Sequence, residues 1–372
     1  MRVVVAMSGG VDSSVAAGMM VEAGHEVLGL TMKLRDTTPE ERSGRTASCC
    51  SPDDLMDARA VCDTLGVPHY IVDYRELFRE KVMGPFAESY LQGRTPNPCV
   101  ACNDHVKFAP LIQRAKALGA ELLVTGHYAR ILPEDGGLYS LRTGADLTKD
   151  QSYFLFGLDQ AILSQTQFPL GTMDKGAVRD FARKMGLPNW DKADSEDICF
   201  VPNGDYRPVV EKIAGSDRLP GSGDILDETG RKVGEHGGVH QFTVGQRKGL
   251  RLASTERLFV LSVDASENTV HVGRRSALEA RGLVAQDCRW ISGEAPTPGV
   301  KLRTKIRYRH DGVAAEVVAE SERALVRFDE PQTAISPGQA AVFYDGDRVV
   351  GGGWIDRAIA EDGAAEAVVY GG

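Results

Sequence analysis

This sequence is marked first by what it lacks, and each absence closes off a class of protein. No run approaches the ~18 consecutive apolar residues that a membrane-spanning helix requires, so no membrane partner is expected. The first residues, MRVVVAMSGG, show none of the basic-then-apolar architecture of an export signal, and the expected location is cytoplasmic. Cysteines are few and odd in number, seven in all. With no export signal, this argues against a disulfide framework. Metal, redox or catalytic roles suit any cysteine that is not core filler. An excess of positive charge is missing too, the formal net charge being −9. That weighs little against a nucleic-acid partner, because binding depends on a local patch and net charge averages over domains. Neither an internal repeat nor a low-complexity segment is present.

What remains is the composition of a soluble globular protein, 42% hydrophobic and 26% charged. At 372 residues the chain can form two or three domains, each with its own core. Up to about residue 200, strands (Val3–Met7, Val27–Met32, Tyr70–Val72, Leu122–Thr125) alternate with helices (Ser13–Ala23, Leu77–Leu91, Ala109–Leu118). A further helix is expected after Ser51 as cap, with Pro52 at its first position. Leu55, Ala58, Cys62 and Leu65 lie on its apolar stripe. Such alternation predicts an α/β fold, a doubly wound parallel sheet with helices on both faces. Beyond residue 205 the texture changes, as in Leu219-Pro220-Gly221-Ser222-Gly223. From about residue 283 the chain reads as all-β, with strands at Val300–Tyr308, Val313–Ala319, Ala324–Phe328, Ala340–Tyr344 and Arg348–Trp354. That spacing suits a small barrel or sandwich. The expected domains are therefore 1–204, 205–282 and 283–372.

Ala6-Met7-Ser8-Gly9-Gly10-Val11-Asp12-Ser13 leaves the first strand and opens a helix. Its small residues let backbone N–H groups approach a phosphate, and the helix N-terminus adds partial positive charge. The lysine of a Gly-Lys-Ser/Thr loop is absent, which excludes a Walker A site. The string Ser-Gly-Gly-x-Asp-Ser resembles the pyrophosphate loop of the ATP pyrophosphatase superfamily, whose members split ATP into AMP and pyrophosphate while adenylating a substrate. In doubly wound sheets ligands sit beyond the strands' carboxyl ends, which here also carry Met32 and Gly126-His127. Met32 and Gly126 are candidate backbone contacts to adenosine, although a core methionine and a turn glycine would read the same way. His127 suits a substrate contact and a hydrogen-bonded histidine at the sheet edge equally.

Arg94-Thr95-Pro96-Asn97-Pro98-Cys99-Val100-Ala101-Cys102-Asn103 sets two cysteines behind a rigid turn, and Cys199 sits far off in Asp197-Ile198-Cys199-Phe200. One Cys-x-x-Cys fits zinc, redox or iron–sulfur chemistry alike. Cys62 and Cys288 read as core residues, and Cys49-Cys50 stays ambiguous. Lys301, Arg303, Lys305, Arg307 and Arg309 alternate with apolar residues. As one strand they would form a phosphate-binding stripe. Gln246-Arg247-Lys248 is a second basic patch. Lys149-Asp150-Gln151 offers a cation and an amide for developing charge, or else a solvated turn.

SGGVDSS, RTPNPC-x-x-CN, TGHYAR, LTKDQSYFL, ICF, VGQRKGL, RYRH and PGQAAVFYDGD occur in one order across nearly the whole chain. In this the sequence resembles the tRNA-specific 2-thiouridylase family. The resemblance implies an α/β nucleotide-binding domain, a small central domain and a C-terminal β-barrel. It implies ATP and Mg2+ as requirements, and adenylation of the C2 oxygen of the wobble uridine in tRNAs for Lys, Glu and Gln. Sulfur would come from a cysteine desulfurase or a sulfur-relay protein. Cys199 would carry a persulfide and Cys102 would help release its sulfur. Asn97, Pro98, His127, Lys149, Asp150, Gln151, Arg307, Tyr308 and Gln339 would contact the tRNA. One departure stands out: many members have Asp where this chain has Cys99. A thiol, with its ordinary pKa of about 8.5, is a poorer general acid/base near neutrality. An alternative therefore stays open, in which Cys99, Cys102 and Cys199 hold an iron–sulfur cluster with one open iron. Two rival functions are a small-molecule ligase of the pyrophosphatase type and a non-enzymatic metal scaffold. Each leaves some of these features without a use.

Overall fold

Val3, Val4 and Val5 are wholly buried in strand β1 (Arg2–Ala6), and alternation sends them to opposite faces. Val4 enters one apolar cluster with Leu28, Phe108 and Leu111, whereas Val3 and Val5 enter another with Val15, Cys62 and Val178. Each such burial is worth roughly 1.5–3 kcal/mol. The chain is described here from a computed structural model covering residues 1–36, 52–194, 197–201 and 204–360. Cys49, Cys50, Ser51, Ser195 and Glu196 lie outside the described residues.

β1 sits third in a parallel sheet of five strands, formed with β2 (Glu26–Lys33), β3 (His69–Asp73), β4 (Leu122–Val124) and the short β7 (Thr166–Gln167) in the order β3-β2-β1-β4-β7. Helices α1 (Val11–Glu22), α2 (Pro52–Leu65) and Lys175–Lys184 contribute to the cluster on one face. Phe108–Ala117 covers the other. Both faces are clothed, as the alternating pattern predicts. The expected helix Leu77–Leu91 is instead broken by a π-turn at Arg79–Met83, and a second π-turn at Asn103–Lys107 precedes Phe108–Ala117.

A hairpin of β5 (Ala129–Pro133) and β6 (Tyr139–Thr143) leaves this sheet and joins the last domain. β8 (Gly223–Leu226), β9 (Lys232–His236), β10 (Phe259–Asp264) and β11 (Thr269–Gly273) make the central sheet. The last six are β12 (Glu279–Trp290), β13 (Val300–Lys305), β14 (Val313–Glu320), β15 (Arg323–Thr333), β16 (Ala340–Asp345) and β17 (Arg348–Ile359). They run β12-β15-β14-β13-β16-β17, and pairing of β12 with β17 closes an antiparallel barrel. No strand was expected at the start of β12. β13 also stops earlier than expected. Its ladder to β14 ends at Thr304 opposite Val313, so the residues between must make the turn. His310 N–H closes that turn onto the Arg307 carbonyl at 3.1 Å.

The barrel docks firmly. Ala340, Val342, Tyr344 and Val349 belong to the same buried cluster as Val4 and Phe108. Asp347 accepts from Arg130 at 2.7 Å and from Arg142 at 2.9 Å, where Arg348 of β17 pairs with Arg142 of β6. Among the described residues, no helix is long and apolar enough to cross a membrane.

Candidate active site

The glycine-rich turn after β1 is rigid. Gly9 has φ +78°, and a Cβ there would lie 2.2 Å from the Asp54 carbonyl oxygen. Only glycine fits both constraints. Ser13 Oγ donates to the Gly10 carbonyl at 3.0 Å and accepts from Ser8 N–H at 3.1 Å; Ser14 Oγ donates to the same carbonyl at 2.9 Å. Asn189 donates to the Gly9 carbonyl and to Ser14 Oγ, both at 3.0 Å. Lys192 reaches the Gly9 carbonyl at 3.2 Å while paired with Asp54 and Asp57. Gly126 is constrained by space alone, since a Cβ would lie 2.7 Å from Ser13 N. The carboxyl end of β4 is thereby held against the N-terminus of α1, as the convergence of strand ends predicts. Ala6 is half-buried, while Met7 and Val11 are buried beneath the turn.

A chain of charges borders this turn. Lys175 Nζ lies 2.7 Å from Asp12 Oδ1 and 2.7 Å from Asp194 Oδ1; Lys149 Nζ lies 2.7 Å from Asp194 Oδ2. Tyr128 O–H donates to Asp12 at 2.7 Å, and its pKa is pushed up by burial and then by Asp12. Burial opposes ionisation of Asp194, but the bonds from Lys149 and Lys175 hold its carboxyl below the usual range. Lys175, Asp194, Asn189 and Lys192 were not singled out from the sequence. They lie too far along the chain from the glycines for any local pattern to join them.

Cys102 and Cys199 border a single aromatic cluster of Phe78, Phe86, Tyr90 and Phe200, to which Met32 and Leu34 also belong or pack. Two thiols from distant segments thus pack against the same cluster as Met32 at the carboxyl end of β2. Asn97 caps the helix Pro98–Cys102, accepting from Val100 N–H, and a π-turn follows directly. Such turns cluster at functional sites. The Arg35 guanidinium donates to the Cys199 carbonyl at 3.1 Å. Cys99 is exposed, whereas Cys102 and Cys199 are half-buried. Among the described residues, no three His, Cys, Asp or Glu side chains are grouped to hold a metal ion. The trio Cys99, Cys102 and Cys199 therefore does not fit an iron–sulfur cluster as it stands.

The remaining expected contacts gather where the barrel meets the first domain. Gln339 donates to the carbonyls of Thr95 and Pro96, both at 3.1 Å, just ahead of Asn97 and Pro98. Tyr308 packs on Phe154 at 4.5 Å between ring centroids. Its pKa is raised by burial and then by Asp150, with lesser effects from Lys149 and Cys99, so these groups share one neighbourhood. Arg307 is exposed beside them, and Gln151 is bonded to Tyr128 N–H at 3.0 Å. Asp150 and His127 are likewise used internally, as Asn97, Gln151 and Gln339 are. The Asp150 carboxylate is buried and accepts from Gly144 N–H, Ser152 N–H and Ser152 Oγ. His127 is bonded to Thr125 Oγ1 at 2.6 Å and packed between Phe108 and Phe168, with a pKa lowered well below normal by burial. On the barrel, Lys301, Arg303 and Lys305 do share one face, Arg303 lying 4.6 Å over the Tyr344 ring. Arg307 and Arg309 fall in the turn beyond, so the stripe is shorter than expected.

A family model described as the tRNA methyl transferase HUP domain matches residues 1–203. Models described as its PRC-barrel domain and as an aminomethyltransferase beta-barrel domain match 213–274 and 280–355. The tRNA-specific 2-thiouridylase MnmA of Geotalea uraniireducens is 48% identical over 363 residues, covering 96% of each chain. That of Geobacter metallireducens is 48% identical over 365 residues, covering 97% of this chain and 98% of its own. That of Chloroflexus aggregans is 45% identical over 357 residues, covering 96% and 98%.

Proposed function

This chain belongs to the tRNA-specific 2-thiouridylase family, and from that premise we propose that it replaces the C2 oxygen of a tRNA wobble uridine with sulfur at the expense of ATP. The observation that supports this reading is that Cys102 and Cys199 both pack against one aromatic cluster, against which Met32 of β2 packs as well. A nucleotide loop alone would serve any adenylating ligase, whereas a small-molecule ligase leaves two half-buried thiols on one cluster without a use.

The C2 carbonyl is urea-like, so its oxygen is a poor leaving group. In the proposed reaction that oxygen attacks the α-phosphorus of ATP, and the bond to the bridging oxygen breaks to release pyrophosphate. The turn Ser8–Ser13 and the α1 N-terminus stabilise the phosphates, with magnesium arriving on the nucleotide rather than in a protein cage. The terminal sulfur of a Cys199 persulfide then attacks C2 and AMP departs. Cys102 thiolate attacks Cys199 Sγ, forming a Cys102–Cys199 disulfide and leaving sulfur on the uridine. The two electrons gained by the transferred sulfur come from these thiols, so an external dithiol must reduce the disulfide between turnovers. A cysteine desulfurase or relay protein supplies the persulfide. Asn97, Lys149, Gln151, Arg307, Tyr308 and the cations of β13 form the RNA-facing rim, with the base turned out of its stack to reach the thiols. In this reading the first domain binds nucleotide, the central sheet links, and the barrel from β12 to β17 contributes the other side of the rim.

The test is 2-thiouridine formation measured by nucleoside mass spectrometry, with ATP-Mg, a persulfide donor, dithiol and unthiolated tRNAs for Lys, Glu and Gln. Product that requires ATP supports the proposal. AMP release driven by a small acid and not by tRNA would replace it with a ligase.

A further inference from the structure

The π-turn Asn103–Lys107 begins directly after Cys102, and its first two residues reach out of their own helix. Asn103 is buried and donates from its side-chain amide to the Phe154 carbonyl at 2.9 Å. Asp104 reaches further, into another domain. Its side chain is only 3% exposed, and it accepts from the Arg289 guanidinium of β12 at 3.0 Å. The other Asp104 oxygen is buried with no hydrogen-bond partner among the described residues. The carboxylate lies tight against Gly157, where a Cβ would come within 2.4 Å of Asp104 Oδ1. Residues 154–157 are thus held between the cysteine turn and the barrel. On their far side Phe156 meets Gly352, where a Cβ would lie 2.7 Å from Phe156 Cδ2. Gly352 is the ladder partner of Arg289, in the seam of β12 and β17 that closes the barrel.

We propose that Asp104 and Arg289 are positioning residues through which the barrel holds Cys102 within reach of Cys199. This rests on the two-thiol reading given above. A buried carboxylate with one cation and one unmatched oxygen is a poor fastener, since a packed apolar pair would hold two domains as well. What the ion pair adds is direction, because it fixes one placement of the turn against β12. Cys102 needs that support. It ends a helix of five residues, too short to keep its own direction, and packs only at the edge of the aromatic cluster. With Arg289 removed, Asp104 is a buried charge without its cation, and the turn must shift to bring it to water. A displacement of about 1 Å is enough to forfeit much of the advantage of a neighbouring nucleophile. Both thiols then stay chemically intact, while attack of Cys102 on Cys199 Sγ slows. Neither Asp104 nor Arg289 belongs to the RNA-facing rim, so tRNA binding is unchanged.

The experiment equilibrates the full-length protein with mixtures of reduced and oxidised glutathione. Two protein thiols are oxidised to a disulfide as one oxidised glutathione becomes two reduced ones. Peptide fragmentation in the mass spectrometer identifies and quantifies the Cys102–Cys199 bridge. Its equilibrium constant is the effective molarity of one thiol toward the other, a quantity set by their placement. Arg289→Met should lower it roughly tenfold, an ordinary coupling for charges in contact, and Arg289→Lys should recover most of the loss. Asp104→Asn should lower it too, and the Asp104→Asn/Arg289→Met double variant should be no worse than the worse single one. The kcat for 2-thiouridine should fall in parallel while the KM for tRNA stays within about twofold. Effects that multiply in the double variant mean two unconnected sites and overturn the proposal. So does an unfolding temperature lowered by Arg289→Met with effective molarity and kcat unchanged, which makes the pair a fastener alone. If Asp104→Asn fails to fold, the two substitutions at half-exposed Arg289 carry the comparison. Wild-type protein that forms no Cys102–Cys199 bridge at any glutathione ratio would sink the two-thiol reading itself.

Discussion

Cys62 and Cys288 carry the same functional group as Cys102 and Cys199, set in a different kind of place. The first pair is buried in cores, and each sulfur fills a space left by a glycine on a neighbouring strand. A Cβ at Gly29 would lie 2.5 Å from Cys62 Sγ, and one at Gly353 would lie 2.5 Å from Cys288 Sγ. Burial pushes the two thiols up to about 11 and about 12. The second pair lies half-buried at the rim of an aromatic cluster, Cys102 on a helix–π-turn junction and Cys199 with its carbonyl bonded to the Arg35 guanidinium. A thiol matched in shape to its surroundings has no room for a reaction partner. One at the edge of a cluster has a dry side that positions it and an open side that receives substrate.

The contrast breaks most decisively at the rim. Cys199→Ser and Cys102→Ser should each lower 2-thiouridine formation by about a thousandfold or more while unfolding temperatures stay near wild type. Appreciable turnover in either would remove the basis for pairing these thiols. The next test concerns Asp104, two residues after Cys102, whose carboxyl is buried against Gly157 and raised to about 6, burial outweighing the nearby Arg289. A raised folded-state pKa favours the protonated form. Its stabilising contribution is therefore complete below the ordinary value near 3.8 and is lost as pH rises through about 6. Asp104→Asn should flatten that slope, changing the difference in urea stability between pH 4 and pH 7.5 by up to about 3 kcal/mol. A difference independent of pH would place the carboxyl in water.

Smaller effects sharpen the core side of the comparison. Cys62→Ala and Cys288→Ala should each cost about 1–2 kcal/mol in denaturant titration and leave thiolation intact. Smallest of all, Cys99→Ser should alter thiolation by less than about threefold, since the two-thiol route gives that exposed side chain no covalent part. Loss as complete as in Cys199→Ser, with iron retained by anaerobically prepared protein, would instead favour the three-thiol cluster.

The phosphate turn was legible because its constraint is local: a glycine needed at one φ stands next to the helix it opens. The alternating face of Lys301, Arg303 and Lys305 was legible for the same reason. What escaped depends on partners distant in the chain. Ala129–Pro133 and Tyr139–Thr143 alternate only briefly, and their sheet neighbour is Arg348. The end of β13 is set by its register with β14, not by its own pattern, which continues apolar through Ile306. Lys175 and Asp194 look like ordinary surface charges until the fold sets the Lys175 ammonium between Asp12 and Asp194. Asp150 illustrates the opposite limit. Its place in a basic, amide-bearing string suggested an outward role, and only the loop geometry reveals three internal donors.

The hairpin lent by the first domain to the barrel has a consequence for biosynthesis. Its second strand, β6, leaves the ribosome about two hundred residues before Arg348 and Asp347 exist to receive it. Through that interval the nascent first domain carries an open strand edge with Leu132 and Leu138 exposed nearby, the kind of surface that invites pairing with another chain. A chain cut near residue 204 would keep that edge permanently, so the nucleotide-binding part studied alone should be prone to aggregate for reasons unrelated to its own core.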